Sequence, residues 1–181
     1  RLRRAVVPLF IDSGAFSEVS ARGGWTWPAH DFAAFVGAVV GELGTVEHVG
    51  IQDWMCEQQI VALTGLSVEE HQRRTVASFL ELRRLAPAVP WVPTLQGMTS
   101  ADYLRCAEMY RDAGVDLEQH QLVGLGSVCR RSRTPEIEAV IAVVLNNLIG
   151  NAVKYTKQGE VRVQVTEDAV IVEDTGPGIK A

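Results

Sequence analysis

Two rhythms of apolar residues alternate along the chain up to about residue 130. Short β-branched runs, "VVPLFI", "VEHVGI", "VPWVPTL" and "QLVGLG", read as strands, and each is followed by sequence with a helical period. The clearest stripe is Phe32, Phe35, Val36, Val39, Val40 and Leu43, spaced to share one helix face, with Gly44 as the stop. Ser67 with Glu70 three residues on predicts a capping box, opening a second helix that buries Val76, Phe79 and Leu80 and stops at Pro87. Thr99 predicts the cap of a third helix, in which Leu104, Ala107 and Tyr110 share a face and Gly114 closes the end.

Strands that each feed a helix predict a parallel sheet with right-handed crossovers. The expected class is α/β, as a partial (β/α) barrel of about four βα units, with an open doubly wound sheet as the other arrangement of the same parts. Near Thr134 the pattern changes. Thr134 and Pro135 start a helix whose apolar series, Ile137, Val140, Ile141, Val144, Leu145, Leu148 and Ala152, predicts one uninterrupted element from about Pro135 to about Tyr155. "GEVRVQV" and "AVIVED" then predict an antiparallel hairpin, which a parallel βα series does not use at that spacing. The expected division is residues 1–140 and 141–181, with the join inside that helix.

Composition changes this picture little. Of 181 residues, 47% are apolar and 22% charged, which argues against disorder, and no apolar run approaches the roughly 20 residues that span a bilayer. A reducing, cytoplasmic setting is expected, because three cysteines at wide spacing, Cys56, Cys106 and Cys129, suit neither a disulfide framework nor a zinc site. The opening "RLRRAVVPLF" begins with Arg1 and lacks a signal-peptide core, so a truncated start is the expectation. A net charge of −5 gives no global attraction for nucleic acid. Arg130 and Arg131 in "CRRSR" are the local exception, as phosphate contacts or as a solvated loop.

In parallel βα architectures chemistry collects beyond the carboxyl ends of the strands. There the chain places Asp12 in "LFIDSGAF", Asp53 in "VGIQDWM", Gln96 and Gly97 in "VPTLQG", and Gly124 and Gly126 in "LVGLGSV". A carboxylate accepts two parallel N–H bonds, an amide donates to a carbonyl, and a glycine exposes its N–H, which together match one edge of guanine. Asp12 in Asp-Ser-Gly also reads as a turn residue, and Gln96-Gly97 as a loop.

These motifs resemble the tRNA-guanine transglycosylases, and more closely their relatives that insert deazapurines into DNA. "DSGAF", "QDWMCE", "VPTLQG" and "LVGLGSVCRR" occur in that family's order and cover about residues 5 to 135. The resemblance implies that Asp53 holds the N1 and N2 edge of the base, that Gln96 and the amides near Gly124 meet O6, and that Asp12 assists proton transfer. It implies base exchange through a covalent glycosyl-enzyme, with tRNA or DNA and a nucleobase as partners. The family's nucleophile is a second aspartate on a later barrel strand, and neither that strand nor the zinc-binding cysteine cluster is found here. A half barrel leaves an open sheet edge, for which a covering partner chain is expected.

The last forty residues carry a different set. Asn147, Asn151 and Lys154 share a helix face, and Asp174, Gly176 and Gly178 form an Asp-x-Gly-x-Gly turn. "LNNLIGNAVKYT" followed by "VEDTGPGI" is similar to the N box and first glycine box of histidine kinase ATPase domains. By that resemblance the segment is a helix plus β-hairpin fragment of a kinase-type ATPase fold, Asn151 ligates magnesium and Asp174 reads adenine. Mg-ATP is then a cofactor only if another chain completes the pocket. The leading expectation is a base-recognising glycosyl transferase homologue, truncated and catalytically impaired. An ATP-binding signalling fragment and a non-functional fusion remnant are the alternatives.

Overall fold

The computed structural model describes residues 7–128, 145, 149–150, 152–165 and 170–176. The chain divides into two compact units, Arg1–Arg130 and Arg131–Ala181. In the first, the order is β1 (Leu9–Ile11), α1 (Ala15–Arg22), α2 (Ala29–Leu43), β2 (Val46–Gly50), α3 (Gln58–Thr64), α4 (Val68–Leu85), β3 (Trp91–Val92), β4 (Thr94–Leu95), α5 (Ser100–Asp112) and β5 (Gly124–Leu125). A single 3-10 turn, Leu117–Gln119, precedes β5.

Strand pairing is parallel throughout this unit: β1 with β2, β2 with β3, and β4 with β5. The run "VPWVPTL", expected as one strand, is two, because Pro93 separates β3 from β4 and a proline has no N–H for the ladder. Its carbonyl still serves, accepting from Gly124 N at 2.9 Å.

The core forms where α2, α4 and α5 pack with β2 and β3. Phe32, Ala33 and Val36 from α2, Val49 and Ile51 from β2 and after it, Val76, Phe79 and Leu82 from α4, Trp91 from β3, and Cys106 and Tyr110 from α5 are all buried in one cluster. A smaller cluster joins α1 and α3 through Ala15, Val19, Met55 and Ile60. These two short helices have no foreseen counterpart, since eight and seven residues hold too few turns to show a period.

Helix ends follow the local sequence. Gly44 and Gly114 take left-handed backbone, φ 72° and 76°, at the ends of α2 and α5. Ser67 caps α4 by accepting from Glu70 N at 3.1 Å, but the Glu70 carboxylate turns to Arg73 and Arg74 instead of closing the box. The reciprocal box is at Thr99, whose hydroxyl accepts from Asp102 N while Asp102 accepts from Thr99 N. Two predicted faces differ in which residues they bury. Phe35 is 54% exposed, packing on Trp27, while Ala33 is buried in its place; Leu104 is 49% exposed, while Tyr103 and Cys106 face in. A bulky apolar residue at the margin of a stripe satisfies the period from outside the core as well as from within.

In the second unit, residues 145, 149–150 and 152–155 are helical, and the rest of the expected Pro135–Tyr155 helix lies outside the described residues. Strands β6 (Val161–Val165) and β7 (Val170–Asp174) pair antiparallel, with Val161 opposite Asp174 and Val165 opposite Val170. Among the described residues no helix is long and apolar enough to cross a membrane.

Candidate functional site

Because the strands run parallel, their carboxyl ends share a side. Asp12 directly follows β1, Asp53 stands shortly beyond β2, and Gln96 directly follows β4. The Gln96 amide Nε2 donates to Asp53 Oδ2. Asp12 is close enough for its charge to act on the Asp53 carboxyl. Exposure separates their roles: Asp12 is exposed, Asp53 half-buried and Gln96 fully buried. Asp53 is therefore reachable from solvent while Gln96 stands behind it, which differs from the expectation that Gln96 meets a base directly.

Residues 51–57, between β2 and α3, have no regular structure, so their backbone groups lack ladder partners and are met by side chains. Trp25 Nε1 donates to Asp53 O at 3.0 Å. Thr75 Oγ1 accepts from Trp54 N at 2.9 Å, and His71 Nδ1 lies 2.5 Å from Met55 O. Cys56 N donates to Ser127 Oγ at 2.6 Å. The Ser127 hydroxyl in turn donates to Gln96 Oε1 at 2.7 Å.

Behind Gln96 is a second set of fixed polar groups. Gln72, fully buried on α4, donates through Nε2 to Gln96 O at 2.6 Å and to Asp102 O at 2.7 Å. Arg105 Nε donates to Gln72 Oε1 at 2.9 Å and its Nη2 to Asp102 Oδ1 at 2.6 Å. A guanidinium only donates, so it settles which way the Gln72 amide points. Tyr103 OH donates to Gly126 O at 2.8 Å.

Burial is the main influence on Asp53. It pushes the carboxyl up to about 7, against backbone and Gln96 hydrogen bonds that favour the charge, and the nearby Asp12 and Glu57 carboxylates add to the rise. A carboxyl poised near neutrality at a strand end is a functional-site signal with a physical cause. The Cys56 and Cys106 thiols are buried and pushed up, which makes them inert packing groups.

The glycines make close approach feasible. A Cβ on Gly97 would lie 2.7 Å from Asp102 Cβ and 3.0 Å from Tyr103 N, inside the first turn of α5. A Cβ on Gly126 would overlap the Gln96 amide, and one on Gly124 would come 3.0 Å from Thr94 Oγ1. The N–H groups of Gly124 and Gly126 donate to Pro93 O and Leu95 O at 2.9 and 2.8 Å. They serve the ladder in this structure, where the sequence suggested that amides here face the O6 of a base.

Sequence reasoning missed Ser127, Gln72, Thr75, His71 and Arg105. A signal was present on α4. Carrying the Val76, Phe79 and Leu82 stripe back one turn lands on Gln72 and Thr75, polar residues at core positions, which must have partners when buried. Arg130 and Arg131 lie outside the described residues.

Residues 1–172 match the model of a family described as DeoxyPurine in DNA protein A (DpdA). The chain belongs to this family. It is a tRNA-guanine transglycosylase-like family, so the likeness drawn from "DSGAF" to "LVGLGSVCRR" is to its DNA-deazapurine side. No curated protein matches the chain, and no solved structure does.

The DpdA match runs past Arg130 through β6 and into β7. It says nothing of an ATPase. Of the residues assigned to a nucleotide, Asn147, Asn151 and Gly178 lie outside the described residues. Lys154 is exposed, with Nζ 5.1 Å from the Tyr155 ring centre. Asp174 is exposed at the end of β7, and its Oδ1 accepts from Gly176 N at 2.7 Å and from Thr156 Oγ1 at 3.1 Å. Among the described residues no group of three or more His, Cys, Asp or Glu side chains could hold a metal ion.

Proposed function

We propose that the strand-end cluster binds the purine-type base handled by a transglycosylase-like protein of DNA deazapurine modification. One observation carries this reading: a solvent-reachable Asp53 carboxylate near neutrality, fixed from behind by Gln96, at the carboxyl end of parallel strands. Asp53 accepts from the ring N–H and exocyclic amine of the base. Gln96 holds that carboxylate, Asp12 stands close enough to assist proton transfer, and Gly97, Gly124 and Gly126 keep the strand ends and α5 tightly joined. Arg130 and Arg131 follow β5 in sequence and suit the phosphates of a DNA strand. The reading assigns recognition to these residues and gives none of them the covalent step.

Titration with 7-deazaguanine, followed by tryptophan fluorescence, tests it, because Trp25 bonds the Asp53 carbonyl and Trp54 is its neighbour. A saturable, sub-millimolar change is expected, stronger at pH 8 than at pH 6, since the acceptor is the ionised carboxylate. No saturable change at pH 8 defeats the reading.

The second reading, an ATP-linked role for the hairpin unit, is favoured by the exposed Asp174 carboxylate at the end of β7. Its Oδ1 is already bonded to Gly176 and Thr156, so an adenine amino group competes with bonds in place. Two or three net hydrogen bonds at about 1 kcal/mol each do not offset an association cost of at least about 4 kcal/mol. Mg-ATP is expected to bind no tighter than millimolar. A micromolar dissociation constant by calorimetry, lost on Asp174→Ala, would promote this reading to first place.

A further inference from the structure

We propose that Ser127 is a positioning residue which, through Gln96, keeps the Asp53 carboxylate presented to a bound base as an acceptor. The inference rests on the base-binding reading and adds a residue to it.

The hydrogen bonds run from Cys56 through Ser127 and Gln96 to Asp53. The Cys56 N–H can only donate, so Ser127 Oγ is the acceptor at 2.6 Å, and the Ser127 hydroxyl donates its proton to Gln96 Oε1 at 2.7 Å. With its carbonyl oxygen held there, the Gln96 amide must turn its NH2 to Asp53 Oδ2. An N–H aimed at Oδ2 favours the ionised carboxyl and leaves the other oxygen for a ligand. In the reversed amide, Oε1 would face Asp53, and two acceptors tolerate each other only if Asp53 takes a proton. Removing the Ser127 hydroxyl removes what holds the first arrangement against the second.

The backbone supplies an independent observation. Ser127 is the one non-glycine residue with positive φ among the described residues, at 58°, a conformation that disfavours an L side chain by roughly 1 kcal/mol. Glycine would suit that backbone, while Gly126 beside it has ordinary φ and is small for steric reasons. Serine supplies at this position a hydroxyl that the easier glycine lacks. The residue is also buried, so the hydroxyl serves the interior and not solvent.

Other charged groups surround the site. Asp12 follows β1, Glu57 caps α3, His71 and Arg74 come from α4, and Asp102 and Arg105 from α5. Burial holds His71 below its ordinary value, under the window in which Asp53 titrates.

The test is the pH profile of 7-deazaguanine affinity, from pH 5.5 to 9, for the full chain and for Ser127→Ala and Ser127→Gly. Glycine relieves the strained backbone, so it keeps the experiment decisive if the alanine variant folds poorly. In the unaltered chain, affinity is expected to rise with pH about a midpoint near 7. In both variants the midpoint should move up by about half a unit to one unit, with affinity at pH 9 within about threefold of the original. A general structural role would instead weaken binding at every pH and leave the midpoint in place. That outcome, or a midpoint that falls, overturns the assignment of Ser127 while base binding stands. If the unaltered chain binds no 7-deazaguanine at any pH, the base-binding reading fails and this inference with it.

Discussion

Asp53→Asn is expected to make the protein more stable above neutral pH and at the same time to abolish base binding. The two effects have one cause. Burial raises the Asp53 carboxyl from 3.8 to about 7, so between those values the folded protein keeps a proton that the unfolded chain has released. Stability therefore falls as pH rises through that window and is level above about 7. Three units correspond to about 4 kcal/mol as an upper bound, reduced in practice because Asp53 is only half-buried. Asparagine is neutral at every pH, and its side-chain oxygen still accepts from Gln96, so the penalty disappears without leaving that amide unpaired. Urea unfolding at pH 5 and pH 8 should show the two proteins closest at the lower pH, with the variant ahead by about 1–3 kcal/mol at the higher.

For binding the sign reverses. A base edge that offers two N–H groups finds one acceptor oxygen and one competing NH2 in asparagine. The loss of a charge-assisted pair and the opposed donors should weaken 7-deazaguanine by about 100-fold or more. A carboxylate that costs the fold stability and is required for recognition is what a functional site looks like in energetic terms. Equal stability of the two proteins at pH 8 would show that Asp53 is not strained by burial. Unchanged affinity would remove it from the site.

The parts of the fold that were legible in the sequence are those whose cause is local. Gly44, Ser67, Thr99 and Gly114 end or begin helices through their own backbone and hydroxyl groups, and each does so where its sequence context placed it. The strand runs were legible for the same reason, except that the third, read as one strand, is divided at Pro93. Packing faces were less so. Period alone cannot tell Ala33 from Phe35 on the margin of a stripe, because which one is buried depends on where β2 and α4 lie.

The site shows the same division. That Asp12, Asp53 and Gln96 stand at strand ends was readable, because parallel pairing brings the carboxyl ends of neighbouring strands to one side. What stood behind them was not. Gln72 and Ser127 reach Gln96 across sequence separations of 24 and 31 residues, and Arg105 reaches Gln72 across 33, so no spacing rule joins them. They are found by asking where the hydrogen bonds of a buried amide go, a question that needs the fold first.

Gly126→Ala is the second change with a large expected effect, and its mechanism is steric. The added methyl would sit on the Gln96 amide, meeting Nε2, Cδ and Oε1 at less than contact distance. A long side chain usually gives way cheaply, but this one is fully buried and held at both polar atoms, by Ser127 and by Asp53. It cannot yield without breaking those bonds and leaving buried groups unpaired. The strand cannot yield either, because Gly126 N and O are engaged with Leu95 O and Tyr103 OH. Overpacking combined with the loss of one or two buried hydrogen bonds predicts a destabilisation of about 2–4 kcal/mol in urea unfolding, with 7-deazaguanine binding lost in the fraction that stays folded. Backbone strain has no part in this, since the φ of Gly126 is one that alanine adopts freely. The control is Gly14→Ala. There φ is 73° and a Cβ would meet nothing within 4 Å, so only the conformational cost of about 1 kcal/mol remains. A Gly126→Ala protein as stable as the Gly14→Ala control, with base binding intact, would show that the Gln96 amide is free to move and that the bonds fixing it do not govern the site.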